Sequence, residues 1–419
     1  KITIAQMKVK PSTHPLNSPK HLKKIAEQAR DIATKFAGRN AEVEITVSAG
    51  EGLSVVVREQ ACESVEFAQD NSAVITIYLE GRKGSATTTD FCEASITESI
   101  KAAYSFAENG DSDEFQCLPE KRYYPQNPDS LDLEIDCPWD LDTQDAVSLG
   151  TVCEHELLNF DRRIKQSDGV SISSYRGTVA YANNDFLGSY RGTTNSISAA
   201  AIASDSKNNM QKGYWYSTDR NPKLLQDSKI IGQKAAERAT NKLGSKKIPT
   251  TECPVLFEPR VAQTLISHLI NALSGGAQYR QASFLLDSLG KEILPVFMNL
   301  EERPHLLGGR QSAPFDSDGI ATSSKSIVKR GRIQTYLLNA YAARRLKLDP
   351  TGNGGGTRNV VLSAPRTSVP SMLGKIDSGL LITDLMGFGV NIVTGDYSRG
   401  ASGFLIKDGE IRSPVEEIT

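Results

Sequence analysis

Two stretches near the end of the sequence decide the fold: TDLMG at residues 383–387 and TGDYSRGASGF at residues 394–404. An apolar segment at 390–393 separates these glycine-punctuated loops, and a predicted strand at 404–406 follows the second one. Asp408-Gly409 then gives the signal of a tight hairpin. Because glycine lets a backbone turn sharply or approach a ligand closely, the pattern predicts a β-rich domain with a functional rim of loops.

The first hundred residues alternate between helical and strand-like patterns. Asn17-Ser18-Pro19 predicts a helix start, and apolar residues at helical spacing continue to Gly38. Alternation with a period of two then predicts strands at 43–47, 53–57 and 74–78, separated by turns, and a helix follows from about 91 to 107. Residues 1 to about 16 are polar and contain prolines, so we expect a mobile or strap-like lead there.

A short repeat marks a predicted pair of antiparallel strands. The sequence Ser-Tyr-Arg-Gly-Thr at 174–178 recurs at 189–193, and Asn183-Asn184-Asp185 lies between the copies as a turn. Helices are predicted on either side of this pair. One spans 142–165 with Thr143 as its cap, and the other begins at Asn221-Pro222 and ends at Gly244.

These patterns predict an α+β fold with two domains rather than regular βαβ alternation. We place the boundary at 246–249, so that residues 1–245 form a domain of helices packed on an antiparallel sheet. Residues 246–419 are expected to form a β-rich domain with a curved or barrel-like sheet and few helices. Its predicted helices run from Pro259 to Leu273 and near 372–375.

Composition excludes several functional classes. The chain of 419 residues has 48 basic and 50 acidic residues with no basic tract, so we expect no direct nucleic-acid binding. No apolar run approaches a membrane span, and no secretory signal is evident at the start. Six cysteines occur singly, which indicates reduced, mostly buried thiols in a cytoplasmic protein.

Several motifs resemble those of the TldD/PmbA family, and of its PmbA branch in particular. The two C-terminal stretches quoted above fit this family nearly residue for residue, and five further matches precede them in the same order. These are Ser274-Gly275-Gly276 with Tyr279-Arg280, then 283–290, 314–319, 336–338 with 341–344, and 352–355.

The resemblance implies a cytoplasmic two-domain protein of a zinc-dependent proteolytic system. The family is linked to peptide-antibiotic maturation, to antitoxin turnover and to gyrase-directed toxins. Its TldD branch carries a His-Glu-x-x-x-His motif, whereas the PmbA branch lacks it and pairs with a TldD-type subunit. The resemblance therefore implies a heterodimer acting on unfolded peptides, with zinc in the partner, no cofactor in this chain, and a possible homodimer when the chain is alone.

The histidines give no zinc motif of their own. None of the five lies four or five residues from another, as a helical zinc site requires. By resemblance, His268 stands at the first histidine of the TldD motif, but Leu269 replaces its glutamate and Leu273 its second histidine. We therefore predict no catalytic and no metal-binding residue, and we expect His268 to be a packed, hydrogen-bonded core residue.

Three other patterns suggest chemistry less strongly. Cys153-Glu154-His155-Glu156 combines ligand types, but residues two apart on a helix diverge by about 200°, so a solvated helix face is expected. The glycine run at 352–356 lacks the Lys-Ser/Thr ending of a phosphate loop and is expected to form a structural turn. The stretch 316–319 lacks further acidic calcium ligands and is expected to be a polar turn.

A peptide-binding surface is the remaining hypothesis, with main-chain pairing to an extended substrate and arginines that pair with its carboxylate. The predicted substrate-binding residues are Gly275, Gly276, Arg280, Thr383, Asp384, Asp396, Tyr397, Ser398 and Arg399. One alternative is an autonomous metalloprotease with an unconventional site that uses Cys153 and His155. Another is a non-enzymatic modulator of gyrase or of a toxin–antitoxin pair.

Overall fold

Six antiparallel strands form the largest sheet of the protein, in a computed structural model that describes residues 17–419. Their spatial order is β3-β2-β1-β4-β5-β6. The expected lead at 1 to about 16 lies outside the described residues. The strands are β1 (Ala41–Arg58), β2 (Ala61–Leu79), β3 (Arg82–Thr88), β4 (Ile164–Asn183), β5 (Leu187–Ser204) and β6 (Met210–Asp219).

Strand β1 is continuous, so the turn predicted within residues 43–57 is wrong. Gly50 pairs with Gly177 of β4, which pairs with Gly192 of β5, and the three glycines form a row across the sheet. A Cβ on Gly50 would lie 1.8 Å from the hydroxyl of Tyr175, and one on Gly177 would lie 3.0 Å from the same ring. These two glycines therefore make room for an aromatic ring on the sheet instead of reversing the chain.

Four helices pack against this sheet: α1 (Pro19–Ala37), α2 (Glu93–Asn109), α3 (Thr143–Leu158) and α4 (Ser228–Asn241). Alternate residues of β1 are buried, as expected for a strand with one covered face. Helices α1 and α2 share one apolar cluster with the first half of β1, and α3 and α4 share a second with the other half.

Two predicted helices start or end elsewhere because local capping decides their limits. Asp142, not Thr143, caps α3 by accepting from the backbone N–H of Asp145 at 2.8 Å. Helix α3 ends at Leu158, where the side chain of Asn159 donates to the carbonyl of His155 at 2.9 Å. Helix α4 begins after the cap Asp227, and the expected start at Pro222 forms only a single 3₁₀ turn.

The predicted repeat is confirmed as a hairpin of β4 and β5. Tyr175 and Tyr190 lie in the two adjacent strands, which pair antiparallel. Asn183 closes the turn, because its side-chain oxygen accepts from the backbone N–H groups of Asp185 and Phe186 at 2.9 and 2.8 Å.

The second half of the chain contains two four-stranded sheets and one two-stranded sheet, and no closed barrel is present in residues 17–419. The α+β class with antiparallel sheets is confirmed, whereas the division into domains at 245/246 stays a prediction. The first sheet has β8 (Asn299–Glu302), β9 (Lys325–Lys329), β10 (Arg332–Ile333) and β11 (Val360–Ser363). The second has β7 (Val255–Phe257), β12 (Ser378–Met386), β15 (Gly400–Lys407) and β16 (Glu410–Ile418), and the two-stranded one has β13 (Val390–Asn391) and β14 (Asp396–Tyr397).

Helices in this half are more numerous than the sequence indicated. They are α5 (Pro259–Ala272), α6 (Gly275–Tyr279), α7 (Ala340–Leu346) and α8 (Val369–Leu373). Helix α7 was missed, although Asn339 caps it by accepting from the N–H of Ala342 at 2.9 Å. The predicted Asp408-Gly409 hairpin is confirmed between β15 and β16. None of the helices in residues 17–419 is both long and apolar enough to cross a membrane.

Candidate functional site

A cavity of about 310 Å³ lies where α6 meets α7 and the glycine turn at 352–356. Among the residues predicted from the sequence, it is lined by Gly275, Gly276 and Arg280. Polar lining residues outside the predicted substrate-binding set include Tyr279, Asn339, Tyr341 and Asn353. Its volume falls at the small end of ligand pockets, which span roughly 300–1,000 Å³.

The two glycines of the cavity wall each have a close neighbour, and the contact at Gly275 requires glycine. A Cβ on Gly275 would lie 2.5 Å from the Cβ of Ala342 in α7, so only glycine allows the two helices to approach. A Cβ on Gly276 would lie 3.0 Å from Nη2 of Arg280. The guanidinium of Arg280 therefore folds back over Gly276 and lies against the cavity.

Aromatic rings hold the polar groups of this wall. Arg280 donates from Nη1 to the hydroxyl of Tyr279 at 3.1 Å. The ring of Tyr279 meets that of Tyr341 edge to face, with centroids 5.5 Å apart. Tyr341 donates to Asp113 Oδ2 at 2.6 Å, which raises the pKa of the tyrosine and lowers that of Asp113.

The glycine turn forms the facing wall, as the predicted structural turn would. Gly355 and Gly356 line the cavity and have φ values of 74° and 103°. Asn353 anchors this turn by donating to both carboxylate oxygens of the buried Glu302, at 2.9 Å each. Lys325 pairs with Glu302 at 2.7 Å, so that buried charge is compensated.

The remaining predicted site residues lie outside the cavity lining. Thr383 and Asp384 contact the end of α4, which packs on the six-stranded sheet. Arg238 donates to the carbonyl of Thr383 at 3.1 Å, and Lys242 pairs with Asp384 at 2.8 Å. These two residues therefore bind one half of the chain to the other in the structure, and their role with substrate stays a prediction.

The loop of Asp396, Tyr397, Ser398 and Arg399 forms an exposed ribbon with β13. Asp396 accepts from Thr394 at 2.6 Å, Ser398 N–H donates to Gly389 at 2.7 Å, and Arg399 donates to the carbonyl of Met386 at 3.1 Å. These contacts shape the ribbon itself. A substrate role for the four residues stays a prediction as well.

The polar turn expected at 316–319 is formed, with the N–H of Gly319 donating to the carbonyl of Asp316 at 3.1 Å, but it lies between the two halves of the chain with Asp316 and Gly319 buried. Phe315 packs against the rings of Phe186 and Tyr190, with centroids 5.3 and 5.2 Å apart. A Cβ on Gly319 would lie 2.6 Å from the ring of Tyr181. Burial and the nearby charge of Asp318 raise the pKa of Asp316 to about 7.

The stretch 153–156 is not a solvated face as expected. Cys153 is buried, and burial raises the pKa of its thiol to about 12. Glu154 is fully buried and accepts from the backbone N–H groups of Glu59 and Gln60 at 3.1 and 2.6 Å. His155 is exposed, so the three side chains have separate surroundings.

The cysteines as a group are less buried than predicted. Among the six, which are all free thiols, Cys153 is buried, Cys92 is exposed, and the other four are half-buried. Cys92 lies at the start of α2, where its Sγ contacts Ser95.

The residues at the zinc-motif position do not fit a zinc ion. Leu273 is fully buried in an apolar cluster that Leu269 also contacts. His268 is half-buried and meets Tyr397 edge to face at 6.1 Å, and its Nε2 has no hydrogen-bond partner, so the expected hydrogen-bonded core histidine is wrong in that respect. Within residues 17–419, no three His, Cys, Asp or Glu side chains are grouped so that they could hold a metal ion.

Comparison with known proteins extends these observations. The chain matches models for the PmbA/TldA metallopeptidase domain 1 at 43–107, the central domain at 136–243 and the C-terminal domain at 250–419. Metalloprotease PmbA of Escherichia coli is 38% identical over 399 residues, covering 95% of this chain and 88% of that protein. A PmbA homolog of Haemophilus influenzae is 40% identical, covering 95% and 87%.

Solved structures agree with these sequence relatives. A Bacteroides thetaiotaomicron protein described as a proposed modulator of DNA gyrase superposes with a TM-score of 0.88 at 28% identity, covering 96% of this chain and 90% of that one. TldE of Thermococcus kodakarensis shares the fold, with a TM-score of 0.79 at 19% identity over 93% of this chain and 90% of that one. Together with the matched segments, these similarities show that the chain belongs to the PmbA/TldD family of metallopeptidases.

Proposed function

We propose that this chain is a PmbA-type, non-catalytic subunit of a metalloprotease that degrades or processes unfolded peptides. A TldD-type partner would supply the zinc and the glutamate that activates its water. Peptide-antibiotic precursors and antitoxins are the substrates that the family resemblance suggests. This chain would contribute part of the chamber wall and hold the substrate against it.

The buried leucine at a zinc-ligand position carries this proposal. Leu273 is fully enclosed, and an aliphatic side chain can neither ligate zinc nor accept a proton. Leu269 stands where the motif has its general base, and it packs against the same apolar cluster. The cavity beside Gly275 and Gly276 offers a place for substrate without any metal ligand of its own.

Reconstitution with a partner subunit tests whether the zinc and the catalytic residues belong to the partner. The purified chain, a TldD-type partner from the same host and an equimolar mixture would each be assayed for bound zinc and for cleavage of an unfolded peptide. We expect zinc in the partner, no cleavage by this chain alone, and the highest cleavage in the mixture. Replacing the glutamate of the partner's zinc motif with glutamine should abolish cleavage by the mixture.

A variant of this chain separates the proposal from an autonomous protease. His155 is exposed and lies outside the cavity lining, so His155→Ala should leave cleavage by the mixture unchanged. Stoichiometric zinc together with cleavage by this chain alone, lost in His155→Ala, would contradict the proposal.

A further inference from the structure

The cavity between α6, α7 and the glycine turn has a positive but no negative lining. Of the described residues that line it, Arg280 is the only one that carries a full charge at neutral pH. The other polar groups there are amides, hydroxyls and main chain, as in Asn339, Asn353 and Tyr341. A small concave site with one cation and neutral hydrogen-bonding groups favours an anionic ligand.

The guanidinium of Arg280 has no carboxylate partner. In the described part of the chain no acidic oxygen lies within 4.0 Å of it, and the Tyr279 hydroxyl at 3.1 Å is the side-chain acceptor it uses. Stacking near Tyr279, with Cζ 5.2 Å from the ring centroid, keeps it close to the wall. Its remaining N–H groups are therefore available to a ligand.

A second guanidinium lies on the same aromatic ring. Cζ of Arg345, in α7, lies 5.7 Å from the Tyr279 centroid and 5.0 Å from that of Phe115, and it also has no carboxylate within 4.0 Å among the described residues. The nearby carboxylate, Asp113, is already engaged by the Tyr341 hydroxyl and the N–H of Phe115, at 2.6 and 3.0 Å. Two guanidinium groups without a direct ion pair thus flank one ring, although the charge of Arg345 also acts on Asp113 and lowers its pKa.

We propose that this cavity binds the C-terminal carboxylate of a short peptide, with Arg280 as its anchor and Arg345 as a second positive charge. The inference rests on the proposed function, which makes an unfolded peptide the ligand. An arginine fork matches the two oxygens of a carboxylate, and such charged pairs are stronger than neutral hydrogen bonds. The site would select the free end of a chain over an internal segment.

Binding of one peptide in two forms to the full chain, without any partner, tests this anchor. The probe is a fluorescein-labelled hexapeptide of Ala, Ser and Gly, with a free C-terminal carboxylate or a C-terminal amide, followed by fluorescence anisotropy. We expect the free acid to bind about tenfold tighter than the amide, the effect of about one charge-assisted hydrogen bond. Added salt should weaken the acid form more than the amide form.

Variants assign the effect to the arginine. Arg280→Gln should reduce the acid-to-amide ratio to about twofold or less while affinity for the amide stays the same. Arg412→Gln removes an exposed arginine on β16, paired with Glu410 outside this cavity, and should leave the ratio unchanged.

The outcomes separate the anchor from the proposed function. Equal binding of acid and amide, or an unchanged ratio in Arg280→Gln, would overturn the anchor while peptide binding itself stood. Failure of both peptides to bind would overturn the anchor and the substrate role of this cavity. Another outcome is that inorganic phosphate displaces the labelled free acid as effectively as an unlabelled free-acid peptide does. The cavity would then be a general anion site, and the proposal that it selects a peptide C-terminus would be overturned.

Discussion

Glu154 is a buried charge with a purely structural environment. It lies in α3, fully enclosed, and its carboxylate accepts from the N–H groups of Glu59 and Gln60 in the β1–β2 turn and from the Gln60 side chain at 3.0 Å. Both turn residues have positive φ, 54° and 60°, so the turn leaves their N–H groups pointing at one acceptor. The carboxylate ties the helix to the end of the hairpin.

Replacing this carboxylate should destabilise the protein. Glu154→Ala removes the acceptor of two turn N–H groups and empties a fully buried position, so we expect the free energy of unfolding to fall by about 2–4 kcal/mol. Urea unfolding measures the change. Glu156→Ala, two residues further along α3 and only half-buried, is the control and should cost less than about 1 kcal/mol. An equal fall in the free energy of unfolding in both variants would contradict a stabilising role for the contacts between Glu154 and the turn.

The same residue shows why single positions were hard to interpret from the sequence. Nothing in Cys153-Glu154-His155-Glu156 tells which side chain faces a hairpin turn nearly a hundred positions away. The pattern at Leu269 and Leu273 was easier, because an aliphatic side chain excludes ligation wherever the helix lies. Tyr279 and Asn339 were missed as cavity residues, although Tyr279 precedes Arg280 and Asn339 stands at a helix cap.

At the scale of elements, the junction of α4 with β12 and α5 depends on two cations. Arg238 bonds to Glu258 at 2.8 Å and to the carbonyl of Thr383, and Lys242 pairs with Asp384. Nearby, Arg260 of α5 stacks on Trp215 with its Cζ 3.5 Å from the ring centroid. These contacts connect elements on both sides of the linking segment, 242–254.

Loss of the main cation should loosen this junction. In Arg238→Leu the largely buried Glu258 loses its guanidinium partner, a loss of about 1–3 kcal/mol. We expect trypsin to cleave after Lys246 or Lys247, both in the linking segment, several-fold faster than in the native protein. Mass analysis of the early fragments checks this. Arg30→Leu, which removes a similarly half-buried arginine of α1 that pairs with Asp31, should leave the rate unchanged. Faster cleavage in both variants would refute a specific junction effect.

The elements that were predicted correctly from the sequence are those that local turn residues determine. The β4–β5 hairpin follows from Asn183 and its turn, and the β15–β16 hairpin follows from Asp408-Gly409. The prediction failed where distant residues decide. Gly50 looks like a turn residue until Tyr175 is placed above it by strand pairing.

For the whole molecule, buried carboxyl groups between the two halves link stability to pH. Burial, followed by the charge of Asp318, raises the pKa of Glu44 in β1 and of Asp316 to about 7 in each case. Burial also raises the pKa of Asp318. At Asp318, the positive charges of Lys83 and Arg344 act in the opposite direction and lower the pKa. At Glu44, the pKa is lowered by the charge of Lys83 and by hydrogen bonds from the hydroxyls of Tyr78 and Tyr181.

These shifts determine the sign of the pH dependence. Unfolded carboxyl groups titrate near about pH 4, so between about pH 4 and pH 7 the folded protein holds more protons than the unfolded chain. The raised pKa values therefore stabilise the folded state at the low end of this window. This contribution to the free energy of unfolding is lost as the pH rises towards 7.

A neutral substitution should remove part of this dependence. In Glu44→Gln the amide oxygen can still accept from Tyr78, as the carboxylate does at 3.3 Å, but it does not titrate. We expect the melting temperature to fall less than in the native protein between about pH 5 and pH 8. Asp316→Asn should instead destabilise at every pH, because three backbone N–H groups converge on that carboxylate. An unaltered pH profile in Glu44→Gln would contradict this explanation.

The long central strands have a consequence for how the matched family segments fold. β1 and β4 belong to different matched family segments, 43–107 and 136–243, yet they pair along 44–57 and 170–183. Each segment, expressed by itself, would present a bare strand edge more than ten residues long and would be prone to aggregate. The two matched segments are therefore expected to fold as one unit, because neither completes the six-stranded sheet without the other.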